Sequence, residues 1–129
     1  MQPSLLIDLP LHRLEASLQL IAMAPLLPAP IEITGLQSLH HKECDRLGCP
    51  ARELEAMGVS LSTTHASIAI EPLLQRPPSA HRLTTYHDHR MAMAFATLGS
   101  AFGTLSVDDK SVVNKTYPNF WEDYSSLQT

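Results

Sequence analysis

The sequence predicts a mixed α/β protein, and two observations lead to that class. Stretches with apolar residues three and four positions apart, as in helices, alternate with short apolar runs of the kind found in strands. Segments containing proline or glycine separate them. The chain has 129 residues, of which 44% are hydrophobic, which suits one domain of modest size with its own core. Helices and strands in alternation indicate a mixed α/β architecture.

The first half of the chain is predicted to hold two helices and three strands. Leu14, Leu18 and Ile21 recur at helical spacing, before a segment that contains two prolines. Pro50 falls early in the second helix and indicates either a local irregularity or a delayed start. The predicted elements after the first helix are a strand at 31–35, a helix at 44–57 and a hairpin of residues 59–62 and 68–70 around a turn near position 65.

The second half is predicted to hold two further helices and two strands. A helix from Arg90 to about Leu98 places an apolar face toward the core and small alanines on the other side, which permits close helix packing. The apolar face consists of Met91, Phe95, Leu98 and Phe102. The other predicted elements are a loop at 75–80, strands at 82–85 and 104–107, and a final helix that runs through residue 124.

A cation stands at the start of the predicted helix that begins near Asp88. The first amides of a helix lack intrahelical partners and carry partial positive charge, so Arg90 is unfavourable there. A bound phosphate or carboxylate would accept from both the amides and the guanidinium. The alternative is that Asp88 caps the helix and Arg90 is a solvated surface residue.

Three further cations stand near predicted helix starts. Lys42 and Arg46 are four residues apart and would share a helix face, where like charges repel unless an anion binds. Lys115 lies where a strand end is predicted to turn into the last helix, whose first turn accepts Pro118. Solvated surface positions are the alternative for all three.

The segments around Lys42, Arg90 and Lys115 resemble motifs of the 5-enolpyruvylshikimate-3-phosphate synthase family. Residues 39–46 resemble its Lys-Glu-x-Asp-Arg motif, residues 85–94 its Tyr-x-Asp-His-Arg-Met-Ala-Met motif, and residues 113–121 its Lys-Thr-Tyr/Phe-Pro motif. The order and spacing agree, and the resemblance extends over residues 31–124. A related enolpyruvyl transferase that acts on a UDP-sugar is disfavoured, since the second motif resembles the shikimate branch.

The resemblance implies a fold and a division into domains. It implies about two of the family's βαβαββ units in an inverse half-barrel, with helices inside, sheets outside, and helix N-termini directed toward an inter-domain cleft. Residues 1–129 would be the C-terminal part of such a domain, and the partner N-terminal domain would lie outside this chain. A fragment, a split gene product or a degenerate copy would explain the length.

The resemblance also implies substrates and site residues. The substrates would be phosphoenolpyruvate, whose enolpyruvyl group is transferred, and shikimate-3-phosphate, whose 5-hydroxyl accepts it. The residues that match the family's site are Arg46, Arg90 and Lys115 for phosphoenolpyruvate, Ser38 and Lys42 for shikimate-3-phosphate, and Glu43, Lys42 and His89 for catalysis, with Glu43 in proton transfer. No cofactor is implied.

The sequence departs from the family pattern at two places. The family's catalytic aspartate at the start of the first helix corresponds to Leu11 or Arg13, and neither can act as a base. His40 replaces the arginine that often precedes the Lys-Glu pair. We therefore expect the chain alone to lack synthase activity, and a non-catalytic module that binds anions or a partner is the alternative.

Other classes of function are disfavoured by composition and spacing. A metal site at His87, Asp88 and His89 is unfavourable because the two histidines would point to different helix faces. A net charge of −4 argues against non-specific binding to nucleic acid. No apolar run approaches the ~20 residues of a membrane span, and the N-terminus lacks a basic signal region. The C-x4-C spacing of Cys44 and Cys49 fits neither a CxxC redox pair nor a standard zinc knuckle, so a reduced, cytoplasmic setting is the default expectation.

Overall fold

Six strands and four α-helices occur in the part of the chain that the computed structural model describes, residues 5–42, 44–73, 81–102 and 105–126. No helix in these ranges is long and apolar enough to cross a membrane. The strands are β1 (Leu5–Asp8), β2 (Ile31–Thr34), β3 (Leu61–Thr63), β4 (Ile68–Ile70), β5 (His81–Leu83) and β6 (Leu105–Val107), and the α-helices are α1 (Ser17–Met23), α2 (Gly48–Ala56), α3 (His89–Phe102) and α4 (Phe120–Ser126).

The strands form two sheets whose topology follows a βαβαββ pattern. The first sheet has the order β1-β2-β4-β3, with β1 parallel to β2 and with β4 antiparallel to both β2 and β3. The second sheet is the parallel pair β5-β6, linked through α3. The described residues thus contain one complete βαβαββ unit followed by a βαβα segment.

The first predicted helix is confirmed, but its first half is a 3-10 helix. Residues Leu11–Ala16 are 3-10 and continue directly into α1. Leu14, Leu18 and Ile21 are all buried, as the spacing requires. The hydroxyl of Ser17 donates to the Leu14 carbonyl at 2.7 Å across the junction. This segment packs against α3, with the Gln19 amide donating to the Thr97 hydroxyl at 3.0 Å.

The second helix starts later than residue 44. The Asp45 carboxylate accepts from the backbone N–H groups of Leu47 and Gly48 at 3.1 and 3.0 Å. This local capping ends the preceding loop and lets α2 begin at Gly48. Pro50 then lies in the first turn, where the missing N–H would have no helical partner. Of the two alternatives for Pro50, the delayed start is the correct one.

The core lies between the helices and the two sheets. Met91, Phe95 and Leu98 of α3 are each 0% exposed, as predicted for its apolar face. The alanines of the other face are also buried. The side chain of Phe102 and the predicted loop at 75–80 lie outside the described residues.

One strand was not predicted, and one predicted strand end is wrong. The pattern of residues 5–8 did not indicate β1, because Leu5 and Leu6 are exposed at a sheet edge and show no alternation. Residues Lys110–Val113 form a 3-10 helix instead of a strand end. Asp109 causes this difference, since its carboxylate accepts from the Ser111 N–H at 2.9 Å and caps a turn.

Candidate functional site

A cavity of about 520 Å³ lies where the segment around residue 40 meets the starts of the first helical segment and α3. Three cationic side chains and one carboxylate line it, together with two histidines. This sign of charge favours a bound anion. The lining residues are His12, Leu14, Glu15, Ser38, Lys42, Arg46, His89 and Arg90.

Five of the seven predicted site residues line this cavity, namely Ser38, Lys42, Arg46, His89 and Arg90. Lys115 is not among its described lining residues. It is exposed in the turn that follows the 3-10 helix Lys110–Val113. Glu43 lies outside the described residues, so its role stays a prediction.

Arg46 is held at the back of the cavity by a buried ion pair with Asp88. Its Nε donates to one carboxylate oxygen at 2.8 Å and its Nη2 to the other at 3.1 Å. Arg46 is 8% exposed and Asp88 is 0% exposed. This two-bond geometry fixes the guanidinium plane. The Nε and Nη2 edge of the guanidinium is thus engaged by Asp88, which holds the charge of Arg46 in a fixed position.

Asp88 is also the N-cap of α3. Its Oδ1 accepts from the Arg90 N–H at 2.9 Å, and its Oδ2 accepts from the Cys44 thiol at 3.2 Å. Burial raises the pKa of Asp88, but the hydrogen bonds from Arg46, Cys44 and the Arg90 amide outweigh it and hold this pKa below its ordinary value. The anion at this helix terminus is therefore the protein's own carboxylate, as in the capping alternative.

The turn before α3 is strained and firmly anchored. Tyr86 and His87 have φ angles of 54° and 58°, in the left-handed region that non-glycine residues rarely adopt. The Tyr86 hydroxyl donates to Glu53 of α2 at 3.0 Å, and Glu53 also accepts from the Thr84 N–H at 2.9 Å. Burial and this hydrogen bond raise the pKa of Tyr86 to about 12. Strain held in place in this way is typical of functional sites.

Lys42 and Arg46 do not share a helix face, contrary to the sequence prediction. A 3-10 helix, Gln37–His41, ends just before Lys42, and Arg46 lies in the turn before α2. The Arg46 N–H donates to the Leu39 carbonyl at 3.1 Å and closes the loop between them. The two cations therefore reach the same cavity because of this loop closure and not through helical spacing.

Ser38 adds a polar group with unused hydrogen-bonding capacity. Its Oγ is buried and has no hydrogen-bond partner among the described residues, and the residue lines the cavity. Buried hydroxyls in folded proteins nearly always have a partner. A ligand oxygen in the cavity would supply one.

Glu15 and His12 are lining residues that the sequence reasoning missed. Both lie in the 3-10 segment Leu11–Ala16, where the reasoning considered only Leu11 and Arg13 as positions for a base. Glu15 is the one carboxylate among the described residues that line the cavity.

Metal binding gains no support from the histidine cluster near α3. Asp88 is engaged with Arg46, and the described residues contain no group of three or more His, Cys, Asp or Glu side chains placed to hold a metal ion.

Comparison with known proteins relates the chain to one family. Residues 6–124 match the sequence pattern described as EPSP synthase (3-phosphoshikimate 1-carboxyvinyltransferase). A 3-phosphoshikimate 1-carboxyvinyltransferase of Methanoculleus marisnigri is 40% identical over 103 residues, which cover 80% of this chain and 24% of the relative. One from Bacteroides fragilis is 38% identical over 106 residues, with coverages of 80% and 25%. The chain spans about a quarter of the length of these relatives.

Solved structures show the same fold. An EPSP synthase from Acinetobacter baumannii superposes with a TM-score of 0.74 at 23% identity, over 96% of this chain and 30% of that one. This likeness confirms the predicted α/β class. The inverse half-barrel arrangement, with helices inside and sheets outside, stays a prediction.

Proposed function

Because the chain belongs to the EPSP synthase family, we propose that it is the part of such an enzyme that binds phosphoenolpyruvate during enolpyruvyl transfer to the 5-hydroxyl of shikimate-3-phosphate. It would form part of the C-terminal domain, with a partner domain supplying the other side of the cleft. The reaction belongs to the shikimate pathway of aromatic amino-acid biosynthesis. The two cysteines are free thiols, which supports a reduced, cytoplasmic setting.

The observation that carries this proposal is the convergence of Lys42, Arg46 and Arg90 on one cavity. The cavity also contains the Ser38 hydroxyl, which has no hydrogen-bond partner among the residues that the structure describes. Phosphoenolpyruvate has a phosphate and a carboxylate, and planar guanidinium groups bind both well. Arg90 is exposed at the cavity, so its fork can bind an oxyanion through two parallel hydrogen bonds. Arg46 is fixed behind it and supplies charge.

The remaining roles follow from the family's pattern. Ser38 and Lys42 would contact shikimate-3-phosphate, and Lys115 would complete the phosphoenolpyruvate site. Glu43 would exchange a proton with the enolpyruvyl methylene, with His89 beside it. Glu15 is a carboxylate in the cavity, and a carboxylate next to a bound hydroxyl can accept its proton.

We propose further that the chain alone lacks synthase activity. It spans about a quarter of its relatives, and catalysis of this transfer requires groups placed on both sides of the substrates and exclusion of water. A wet, open half-site binds anions weakly because salt screens exposed charges. We expect a dissociation constant for phosphoenolpyruvate of roughly millimolar order.

Isothermal titration with phosphoenolpyruvate at high protein concentration tests the binding. Arg90→Ala should weaken binding about tenfold, because a charge-assisted contact is lost from a partly exposed site. Arg82→Ala is the matched control: it removes the same charge from β5, away from the described cavity lining, and should leave binding nearly unchanged. Absence of binding, or equal loss in the two variants, would overturn the proposal.

The second candidate is a non-catalytic anion-binding or partner-binding module derived from the synthase. Leu11 or Arg13 at the position of the family's aspartate favours it. A phosphate-release assay with both substrates separates the two candidates. Steady release that Glu43→Ala abolishes would refute the expected inactivity of the chain, whereas binding without release in the presence of a supplied partner domain would favour the module.

A further inference from the structure

His40 bridges two separate parts of the fold next to the cavity. Its Nδ1 lies 3.0 Å from Oδ1 of Asp45, and its Nε2 lies 2.7 Å from the carbonyl oxygen of His65. The rings of His40 and His65 stack with centroids 4.7 Å apart and planes 11° from parallel. The bridge therefore joins the 3-10 helix Gln37–His41 to the turn of the β3–β4 hairpin and to the start of α2.

Both ring nitrogens of His40 face atoms that only accept hydrogen bonds. A carboxylate oxygen and a backbone carbonyl oxygen carry no proton at neutral pH. A neutral imidazole has one N–H, so one of its nitrogens would direct a lone pair at an acceptor. Only the imidazolium donates to Asp45 and to the His65 carbonyl at the same time. The geometry of this bridge is that of a doubly protonated ring.

The bridge spans the loop that carries the cavity's cations. His40 and Asp45 lie at the two ends of a six-residue segment that contains Lys42. Ser38 lies two residues before it and Arg46 directly after it, and both line the cavity. The Arg46 N–H to Leu39 carbonyl bond closes the same loop on its other side. Loss of the His40 bridge would remove one of the contacts that hold the part of the loop around Lys42 in place.

We propose that His40 is a positioning residue whose imidazolium form ties the Lys42 loop to the β3–β4 hairpin and so raises the affinity of the cavity for anions. The proposal rests on the proposed anion binding and adds to it a residue outside the cavity lining. It also assigns a role to the histidine that stands in place of the arginine typical of the family.

The groups that face His40 set the direction of its titration. They are the Asp45 carboxylate, from the segment before α2, and the His65 ring with its carbonyl, from the hairpin turn. The hydrogen bond to the His65 carbonyl and then the bond to Asp45 raise the pKa of His40, against the opposing effect of burial. Burial raises the pKa of Asp45, but the Gly48 N–H and His40 lower it more.

The sign of the pH dependence follows. A histidine with a raised pKa in the folded state stabilises that state fully below about pH 6.5, the ordinary pKa of histidine. This stabilisation is lost as pH rises through the raised pKa. Anion affinity should therefore fall over that interval. His12 and His89 also line the cavity, so the informative quantity is the difference in sulfate affinity between the wild type and a His40 variant.

Sulfate is a suitable probe because it stays a dianion throughout the interval. Its binding is measured by isothermal titration between pH 5.5 and 8.5 for wild type, His40→Gln, His40→Arg and the control His41→Gln, which changes the exposed neighbouring histidine. At the acid end His40→Gln should bind roughly two- to fivefold more weakly than wild type, the range expected for one partly exposed charged contact. At the alkaline end the two should converge.

The other variants separate a positioning role from a general structural one. His40→Arg keeps a cation at every pH, so at the alkaline end it should bind sulfate more tightly than the wild type does. His41→Gln should follow the wild type at every pH. Ring ¹⁵N NMR should show His40 doubly protonated above pH 6.5. A neutral His40 ring at pH 6.5, or the same sulfate profile in wild type and His40→Gln, would overturn the role of His40 alone. No sulfate binding by the wild type at any pH would overturn the anion site as well.

Discussion

The buried pair of Arg46 and Asp88 makes Asp88 the most sensitive position of the site. Removal of one partner from a buried ion pair costs about 3–5 kcal/mol, because the other charge loses its compensation. Asp88→Ala also removes the acceptor that caps α3 at the Arg90 N–H, which adds about 1 kcal/mol. Native domains are stable by only about 5–15 kcal/mol. Asp88→Ala should therefore remove a large part of the free energy of unfolding.

Two variants divide this loss between the ion pair and the cap. Asp88→Asn keeps an oxygen for the Arg90 N–H, so it should cost about 1 kcal/mol less than Asp88→Ala. The double variant Arg46→Met/Asp88→Ala should cost less than the sum of the single changes, since neither charge remains in the interior. Asp109→Ala is the control, because Asp109 caps a helical segment at the surface. This change should lower the free energy of unfolding less than Asp88→Ala does.

Urea unfolding at pH 7, followed by circular dichroism, measures these differences from the midpoint when the slope is unchanged. A loss below about 1 kcal/mol for Asp88→Ala would refute the reasoning, as this is the size of a cap alone. Equal losses for Asp88→Ala and Asp109→Ala would refute it too.

Three further predictions concern acid stability, cavity charge and backbone fit. Hydrogen bonds from Arg46 and Cys44 outweigh burial and lower the pKa of Asp88, so its contribution to stability is present above about pH 3.9 and is lost as pH falls through the lower folded value. The free energy of unfolding should therefore fall less steeply below about pH 4 for Asp88→Asn than for the wild type, and parallel curves would contradict this. Glu15→Gln removes a carboxylate from the cavity and should tighten phosphoenolpyruvate binding roughly twofold to fivefold in calorimetry; weaker binding would mean that Glu15 aids the anion. Gly35→Ala should lower the free energy of unfolding in urea by about 1–3 kcal/mol, because φ is +81° and an added Cβ would lie 2.5 Å from the Leu9 carbonyl oxygen. Gly58→Ala should lower it less, because φ is +98° but no atom lies within 4 Å of the added Cβ. The reverse order would contradict the clash at Gly35.

The helices with a strong apolar period were predictable from sequence. Leu14, Leu18 and Ile21 are buried together, and Met91 and Phe95 point to the core, because burial of one face determines where such helices lie. The hairpin of β3 and β4 was also predictable, since two short apolar runs flank a polar turn. In these elements the local pattern and the packing agree.

Elements that depend on side-chain capping or on distant pairing were not predictable. Asp45 delays α2 and Asp109 converts a strand end into a 3-10 helix, and in both cases a single carboxylate competes with the regular backbone pattern. β1 forms through parallel pairing with β2, 26 positions along the chain, as in the pair Leu5 and Ile31. The local pattern of apolar residues does not indicate such a long-range contact.

The candidate site was partly predictable for the same reason. The motifs identified Lys42, Arg46 and Arg90, and the cavity brings them together. The partner of Arg46 is Asp88, 42 residues away, and only the fold reveals that the capping carboxylate is also the counter-ion. Glu15 was not predicted, because the direction of its side chain decides that it faces the cavity, and the residue pattern does not give that direction.

Chemical-shift mapping with phosphoenolpyruvate tests most directly whether this cavity is the anion site. On the ¹⁵N-labelled chain, the amide signals of Lys42, Arg46 and Arg90 should shift in one saturable process, and Arg90→Ala should weaken it. The Lys115 amide should shift less, since Lys115 is not among the described residues that line the cavity. Shifts confined to the region of Lys115, or shifts around Arg90 that persist unchanged in Arg90→Ala, would contradict the account.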